Sequence, residues 1–470
     1  MTEPTRSWCG KRRDGLVEAN PKTTLLQVKV LQVPFTYYPE AVGGTEIYVE
    51  ALAQRLRAHG VESVIAAPAP QEGTMEREGL RVRRYALSEG VCDLREIYGE
   101  GDATAAVNFE RVLEEERPAV IHLHAQTRGV SLRMIRVARR RRIPVVYTYH
   151  TPTATCQRGT LLRWGNTVCE GTMKESLCTA CALQGRGVPR LAAYALAALP
   201  VAVGGLCGRA GLRGGVWTAL RARELTALWQ RCTREFLTEA DHVVAVCEWV
   251  REVLLRNGVP AEKITLSRQG LCQEPQLEAT VSAPAKSRVL RVAFLGRLDP
   301  TKGVDILVRA VRSAPELRLS VDVYGIAQGE GGRRYEAQLR DLAAGDDRIT
   351  FHAPVPAQGV VETLRAYDVL AVPSQWLETG PMVVLEAFAA GVPVLGSRLG
   401  GLAELVRDDV DGLLVAAADV GAWRVALRRF STEPGLVSRL RRGIQPPRTM
   451  HTAAAEMAAL YHRLLANAQT

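Results

Sequence analysis

Two carboxylates eight residues apart, Glu378 and Glu386, flank a stretch whose layout suits phosphate chemistry. The apolar run 368–373 reads as a buried parallel strand, and Pro381 as the first turn of a helix that ends near Gly391. A helix starting above a buried strand aims unpaired N–H groups, here those of Met382 and Val383, and the positive end of its dipole at whatever sits over the sheet. That favours an anion. Carboxylates repel phosphate but accept hydrogen bonds from hydroxyls. A phosphate between two hydroxyl-rich ends, as in a nucleotide-sugar, meets both demands. The same spacing also fits a solvated helix residue and a cap.

Other groups could serve the same ligand. Arg297 stands at the end of a strand that begins at Arg288, and Lys302 at the start of the next helix. Arginine grips phosphate oxygens bidentately and lysine acts as a point charge. In isolation, two such cations are usually surface residues. Gly43 and Gly44 follow the first strand and enter a helix, letting backbone approach a ligand closely. His122, His124 and His150 sit at carboxyl ends of strands, the edge where open α/β sheets bind ligands. The loops near Gly325 and Val355 lie at the same edge and are expected to receive a base.

Four of the ten cysteines, Cys156, Cys169, Cys178 and Cys181, fall within 26 residues, with 12, 8 and 2 residues between them. Four thiolates would complete the tetrahedral shell of a structural zinc and leave no open catalytic position. An iron–sulfur cluster and unligated thiols fit the spacing too.

The stretch from Glu378 to Glu386 resembles the E-x7-E signature of the retaining glycosyltransferases of family 4, which have the GT-B fold. Ala387, the run Gly391-Val-Pro-Val394 and Gly400-Gly401-x-x-Glu404 are similar to its continuation. Gly296-Arg297-Leu with Lys302-Gly303 resembles the family's diphosphate clamp, and Pro39-Glu-x-x-Gly43-Gly44-x-Glu46 its N-terminal loop. The resemblance implies that Glu378 holds the donor sugar, Glu386 the ribose, and His150 hydrogen-bonds the transferred sugar. His150, Arg297, Lys302 and Glu378 are the expected catalytic set. Gly43, Gly44, Gly325, Val355, Met382, Val383 and Glu386 are the expected donor contacts. The family more often has glycine where this chain has Pro381; proline removes an amide donor, so the contacts should fall to the amides after it.

These groups need a scaffold. A chain of 470 residues, 47% hydrophobic, is too long for one core. Strand and helix patterns alternate through both halves, the mark of doubly wound parallel sheets. The pattern gives two α/β domains, and the resemblance implies that they take the GT-B fold, two Rossmann-like domains facing a cleft. Its parts are an extension over 1–24, an N-terminal acceptor-side domain over 25–275, a linker over 275–287, a C-terminal nucleotide-sugar domain over 288–446, and a helix over 447–470 crossing back. The first domain carries the cysteine-rich insertion 151–187 and a helical segment 188–238. No apolar segment of signal-peptide form follows the basic start, which points to the cytoplasm. The net charge of +10 is concentrated near Arg133, Arg136 and 139–142. This suits an anionic membrane surface, nucleic acid or a solvated helix end. The run 191–208 is a poor span, broken by Pro200 and a Gly pair. It reads as a packed helical hairpin or as an interfacial segment at the inner membrane face.

The resulting expectation is retaining transfer of a sugar from a nucleoside-diphosphate donor to a saccharide or lipid-linked acceptor hydroxyl, with no cofactor for catalysis. A sugar-nucleotide epimerase would bind the same donor without an acceptor. A basic zinc-containing nucleic-acid binder ranks behind both, and a dehydrogenase would need a G-x-G-x-x-G after the first strand that residues 34–44 do not supply.

Overall fold

The computed structural model describes residues 28–40, 43–90, 93–212, 214–273 and 289–469; the extension 1–24 and the linker 275–287 lie outside them. Strands of the first half are β1 (Val28–Val33), β2 (Val61–Ala69), β3 (Gly73–Arg77), β4 (Leu80–Ala86), β5 (Val120–Leu123), β6 (Val145–Tyr149), β7 (Leu162–Arg163), β8 (Thr167–Val168), β9 (His242–Ala245) and β10 (Ile264–Leu266). The second half supplies β11 (Leu290–Arg297), β12 (Leu319–Ile326), β13 (Ile349–His352), β14 (Val369–Val372), β15 (Val394–Ser397) and β16 (Gly412–Val415).

Eight strands form one sheet in the order β10-β9-β6-β5-β1-β2-β4-β3, and six form another in the order β13-β12-β11-β14-β15-β16. Pairing is parallel except at the β3–β4 edge and in the small β7–β8 hairpin. The inner strands β5, β6, β9, β14 and β15 are buried at every residue. This is why they read as continuous apolar runs: helices cover both faces. Tyr48, Leu52 and Met457 fill one face of the first sheet, and Phe109, Ile135 and Phe236 the other. On the second sheet Leu307 and Trp423 oppose Val384 and Phe388. The edge strand β3 is hard to read from its residues: most are polar or exposed, and only Met75 among them packs against the core.

In each sheet the strand order reverses beside the first strand of that half, β1 between β2 and β5, β11 between β12 and β14. Ligand crevices open at such reversals, outside the carboxyl ends. The loops after β1, β11 and β14 are therefore the ones aimed into a crevice. The C-terminal helix Met450–Gln469 packs on the first sheet beside the helix Gly44–Leu56. Its start is pinned by Leu271, whose N–H donates to Arg448 O at 2.8 Å and whose carbonyl accepts from Met450 N–H at 3.1 Å.

The structure changes the reading of the charged segment and agrees with that of the apolar run as a broken, poor span. The arginine-rich helix end is not a free cationic patch: Arg136 pairs with Glu100, Glu235 and Glu239, and Arg141 with Glu110 and Glu114. The run 191–208 is two helices, Arg190–Ala198 and Val201–Arg209, bent by 83°; among the described residues no single helix is long and apolar enough to cross a membrane.

Candidate active site

The ends of β11 and β14 assemble the charged part of the site. Arg297 ends β11, exposed, and the turn Pro300–Lys302 carries Lys302 over to the loop after β14. There Lys302 Nζ lies 2.5 Å from Glu378 Oε1, and Ser374 Oγ donates to the same oxygen at 2.7 Å. Gly303 permits this approach: its φ is +68°, and a Cβ would stand 2.0 Å from the Pro373 carbonyl oxygen. Burial alone would lift the Glu378 carboxyl, but the Lys302 charge and the hydrogen bonds outweigh it and hold the group below its ordinary value. Glu378 is a buried carboxylate.

Glu386, on the helix Met382–Ala389, is shifted the other way, pushed up to about 7 by burial. Pro381 is the N-cap of that helix rather than its first helical residue, since its backbone is extended at ψ 116°. The missing amide donor is thus outside the helix. Met382 and Val383 open it with the N–H groups that face the crevice end. The main chain of Glu378 is held by Gly401 N–H at 2.6 Å and by the Trp249 indole at 3.0 Å, both donating to its carbonyl. A Cβ on Gly401 would lie 2.8 Å from that oxygen, so the second glycine of the pair is required by contact.

The first half supplies the opposite wall. Gly43 caps the helix Gly44–Leu56, its N–H donating to Glu46 Oε2 at 2.8 Å. Burial raises the Glu46 carboxyl, and backbone hydrogen bonds and the charge of Arg297 from the other half pull it back in part. The His150 carbonyl accepts from Thr379 Oγ1 at 2.7 Å, and its ring Nδ1 is 3.4 Å from Gln269 Nε2. Glu404, on the second half, accepts from the N–H groups of Glu248 and Trp249 at 2.8 and 3.0 Å, capping the helix Glu248–Arg256 of the first. The structure thus brings Gly43, Gly44, His150, Arg297, Lys302, Glu378 and the start of the Glu386 helix to facing loops of the two halves.

Gly325 and Val355 are placed less directly. Gly325 pairs with Gly296 one residue before the Arg297 register, but a Cβ there would meet the Leu298 side chain at 2.5 Å, which gives the glycine a packing reason. Val355 is partly buried against the core beside β14. Four contributors were missed as functional groups. Ser374, Trp249 and Gln269 carry no motif of their own, and Glu404 was read only as part of a sequence pattern. Their roles come from chain segments far apart in sequence.

Cys156, Cys169, Cys178 and Cys181 line one cavity with Arg158, Arg163 and Lys174. They are free thiols, and among the described residues no group of three or more His, Cys, Asp or Glu is arranged to hold a metal ion, so the zinc expectation is not supported. Lys174 N–H donates to Cys178 Sγ and Trp164 N–H to Cys181 Sγ, each at 3.4 Å, and burial raises both thiols above their ordinary value.

Comparison with known proteins adds the following. Residues 280–445 match the model "Glycosyl transferases group 1", and residues 43–270 the "Glycosyl transferase 4-like domain". A D-inositol 3-phosphate glycosyltransferase of Nocardia farcinica is 34% identical over 213 residues, 41% of this chain and 46% of that protein. One from Saccharomonospora viridis is 37% identical over 214 residues, 44% and 48% of the two chains. The chain thus spans about half the length of the curated relatives it matches. Among solved structures, sucrose-phosphate synthase from Thermosynechococcus elongatus superposes with a TM-score of 0.63 at 20% identity, covering 94% of this chain and 100% of that one. HepE from Anabaena in complex with UDP gives 0.59 at 15%, covering 93% and 100%. These likenesses establish the GT-B fold.

Proposed function

The chain belongs to the group 1 glycosyltransferases, and from that premise we propose that it moves a sugar from a nucleoside-diphosphate-sugar to an acceptor hydroxyl with retention at the anomeric carbon. The observation that carries this reading is the pairing of Lys302 with the buried Glu378, 2.5 Å apart, beside the start of the helix that carries Glu386. Solved structures of the same fold that hold UDP, UDP-glucose or ADP support a nucleotide-sugar donor.

In this mechanism the bond from the anomeric carbon to the diphosphate breaks, and a bond to the acceptor oxygen forms on the same face. The departing phosphate takes the acceptor's proton. Arg297, Lys302 and the amides of Met382 and Val383 stabilise the negative charge that builds on the diphosphate, without need of a metal. Glu378, already a carboxylate, accepts from sugar hydroxyls, and Glu386 from the ribose. Gly43 and Gly44 let the first half close on the donor. The acceptor is a saccharide or a lipid-linked glycan, in polysaccharide, glycolipid or glycoconjugate synthesis in the cytoplasm.

Peripheral membrane contact belongs to the proposal. Leu191, Leu206, Val216 and Trp217 are exposed, the first by 87%, on the bent helices and the segment after them. Such a face suits the interfacial zone of a bilayer. The decisive experiment is a thermal-shift screen of nucleotide-sugars followed by mass spectrometry of products with lipid-linked and oligosaccharide acceptors. Acceptor-dependent gain of one sugar supports transfer; conversion of donor alone to an isomer overturns it in favour of an epimerase.

A further inference from the structure

Six buried side chains form one hydrogen-bonded chain running inward from the cleft. His150 Nε2 is 3.0 Å from His124 Nδ1, and His124 Nε2 is 2.8 Å from Gln32 Oε1. Gln32 Nε2 donates to the Tyr461 hydroxyl at 3.4 Å. That hydroxyl is 2.7 Å from His122 Nδ1, and His122 Nε2 is 2.6 Å from Thr148 Oγ1. All six residues are at most 4% exposed.

Burial pushes the His122 and His124 imidazoles well below their ordinary value and His150 down to about 3. Each ring is therefore neutral and carries a single N–H. A neutral imidazole donates from one nitrogen and accepts at the other, so one assignment propagates through the chain. Because the Gln32 amide nitrogen donates to Tyr461, its oxygen accepts from His124 Nε2. His124 Nδ1 must then accept from His150 Nε2. On the other side the Tyr461 hydroxyl, having accepted from Gln32, donates to His122 Nδ1, and His122 Nε2 donates to Thr148. All three histidines are Nε2–H tautomers. Turning the Gln32 amide over would reverse every bond and make all three Nδ1–H.

This direction leaves His150 with a bare Nδ1 toward Gln269, whose amide contact at 3.4 Å is long enough to yield to a ligand. Gln269 Oε1 is buried without a hydrogen-bond partner, 3.4 Å from where a Cβ on Gly380 would lie. Two acceptors thus meet at the loop between Glu378 and the helix start. Resting on the reading that a nucleotide-sugar enters this cleft with its sugar on His150, as the resemblance implies, we propose that His124, Gln32 and Tyr461 are positioning residues that hold His150 in the accepting Nε2–H tautomer, and that Gln269 Oε1 is a second acceptor of sugar hydroxyls beside it. Tyr461 belongs to the C-terminal helix, so docking of that helix sets the chemistry of a cleft residue about 300 positions earlier.

The test is long-range ¹H–¹⁵N NMR of the full chain labelled at its eight histidines, first without ligand. His122, His124 and His150 are expected as Nε2–H tautomers in the wild type. Tyr461→Phe is expected to give a mixture of the two tautomers at His150, and a rise of about tenfold in donor KM with kcat nearly unchanged. His150 found as Nδ1–H, or a folded Tyr461→Phe with its tautomers unaltered, overturns the positioning chain. The wild-type spectrum needs no variant to fold and no donor to bind, so it is independent of the transferase reading. With the expected tautomer in hand, an unmoved His150 signal on addition of a donor that is turned over overturns the sugar contact.

Discussion

Glu378 and Glu386 are the same residue type in one loop and helix, yet their surroundings separate them. Lys302 and Ser374 keep Glu378 ionised, whereas burial pushes Glu386 up to about 7. Carboxyl groups moved apart in this way mark distinct roles at one site. Lys302→Ala removes the cation from a buried carboxylate. It is expected to lower kcat by about 10²-fold or more and to cost about 3 kcal/mol of stability, the usual range for breaking a buried pair from one side. Steady-state kinetics and denaturant melts check both, and wild-type turnover in this variant would remove Lys302 from the mechanism. Glu386 gives a pH prediction. Its folded value lies above the unfolded one, so its contribution to stability is full below the unfolded carboxyl value and is lost as pH rises through about 7. Ionised Glu386 is the better acceptor for ribose hydroxyls. Donor KM should therefore fall as pH rises across neutrality, and Glu386→Gln should flatten the profile; a profile unchanged by the substitution excludes Glu386 as the cause.

At the scale of elements, the halves are joined by backbone groups that would otherwise be orphaned. Glu404 closes the N-terminus of the helix Glu248–Arg256 from across the cleft, with Arg268 3.2 Å from the same carboxylate. Glu404→Ala should cost about 1 kcal/mol, as loss of a cap does, and should speed hydrogen exchange at the Glu248 and Trp249 amides; unchanged exchange there would mean the cap is idle in solution. The bent helices Arg190–Ala198 and Val201–Arg209, with the helix Gly215–Leu220 after them, make a second element-level prediction. Co-sedimentation with anionic liposomes should drop when Leu206 and Trp217 are replaced together by serine, and full recovery of the wild type in the supernatant at low salt would end the membrane proposal. The cysteines show the limit of reading a site from spacing: the C-x-x-C pair lies on the helix Glu175–Gly185, yet among the described residues no group of three or more is arranged to hold a metal ion.

For the whole molecule, the C-terminal helix is the element that ties the end of the chain to the first sheet. Met457 is fully buried there, so Met457→Ala should cost about 2–5 kcal/mol; a loss under about 1 kcal/mol would show the helix docks loosely. Much of this architecture was legible in the chain itself. The alternation of apolar runs and amphipathic stretches determined two parallel α/β sheets, because a strand covered on both faces must be apolar throughout. Local spacing determined that Arg297 and Lys302 flank one strand end and that Glu378 and Glu386 flank one helix start, since those relations span only a few residues. What only the tertiary structure decided are contacts between distant segments: Lys302 on Glu378, Glu404 on Trp249, Gln269 and Thr379 on His150, and Tyr461 on His122. Periodicity reports which face of an element is buried, not which element lies against it. Sidedness can therefore be read from sequence, whereas the partner across a cleft, and with it the protonation of a buried carboxyl or imidazole, exists only once the chain has packed.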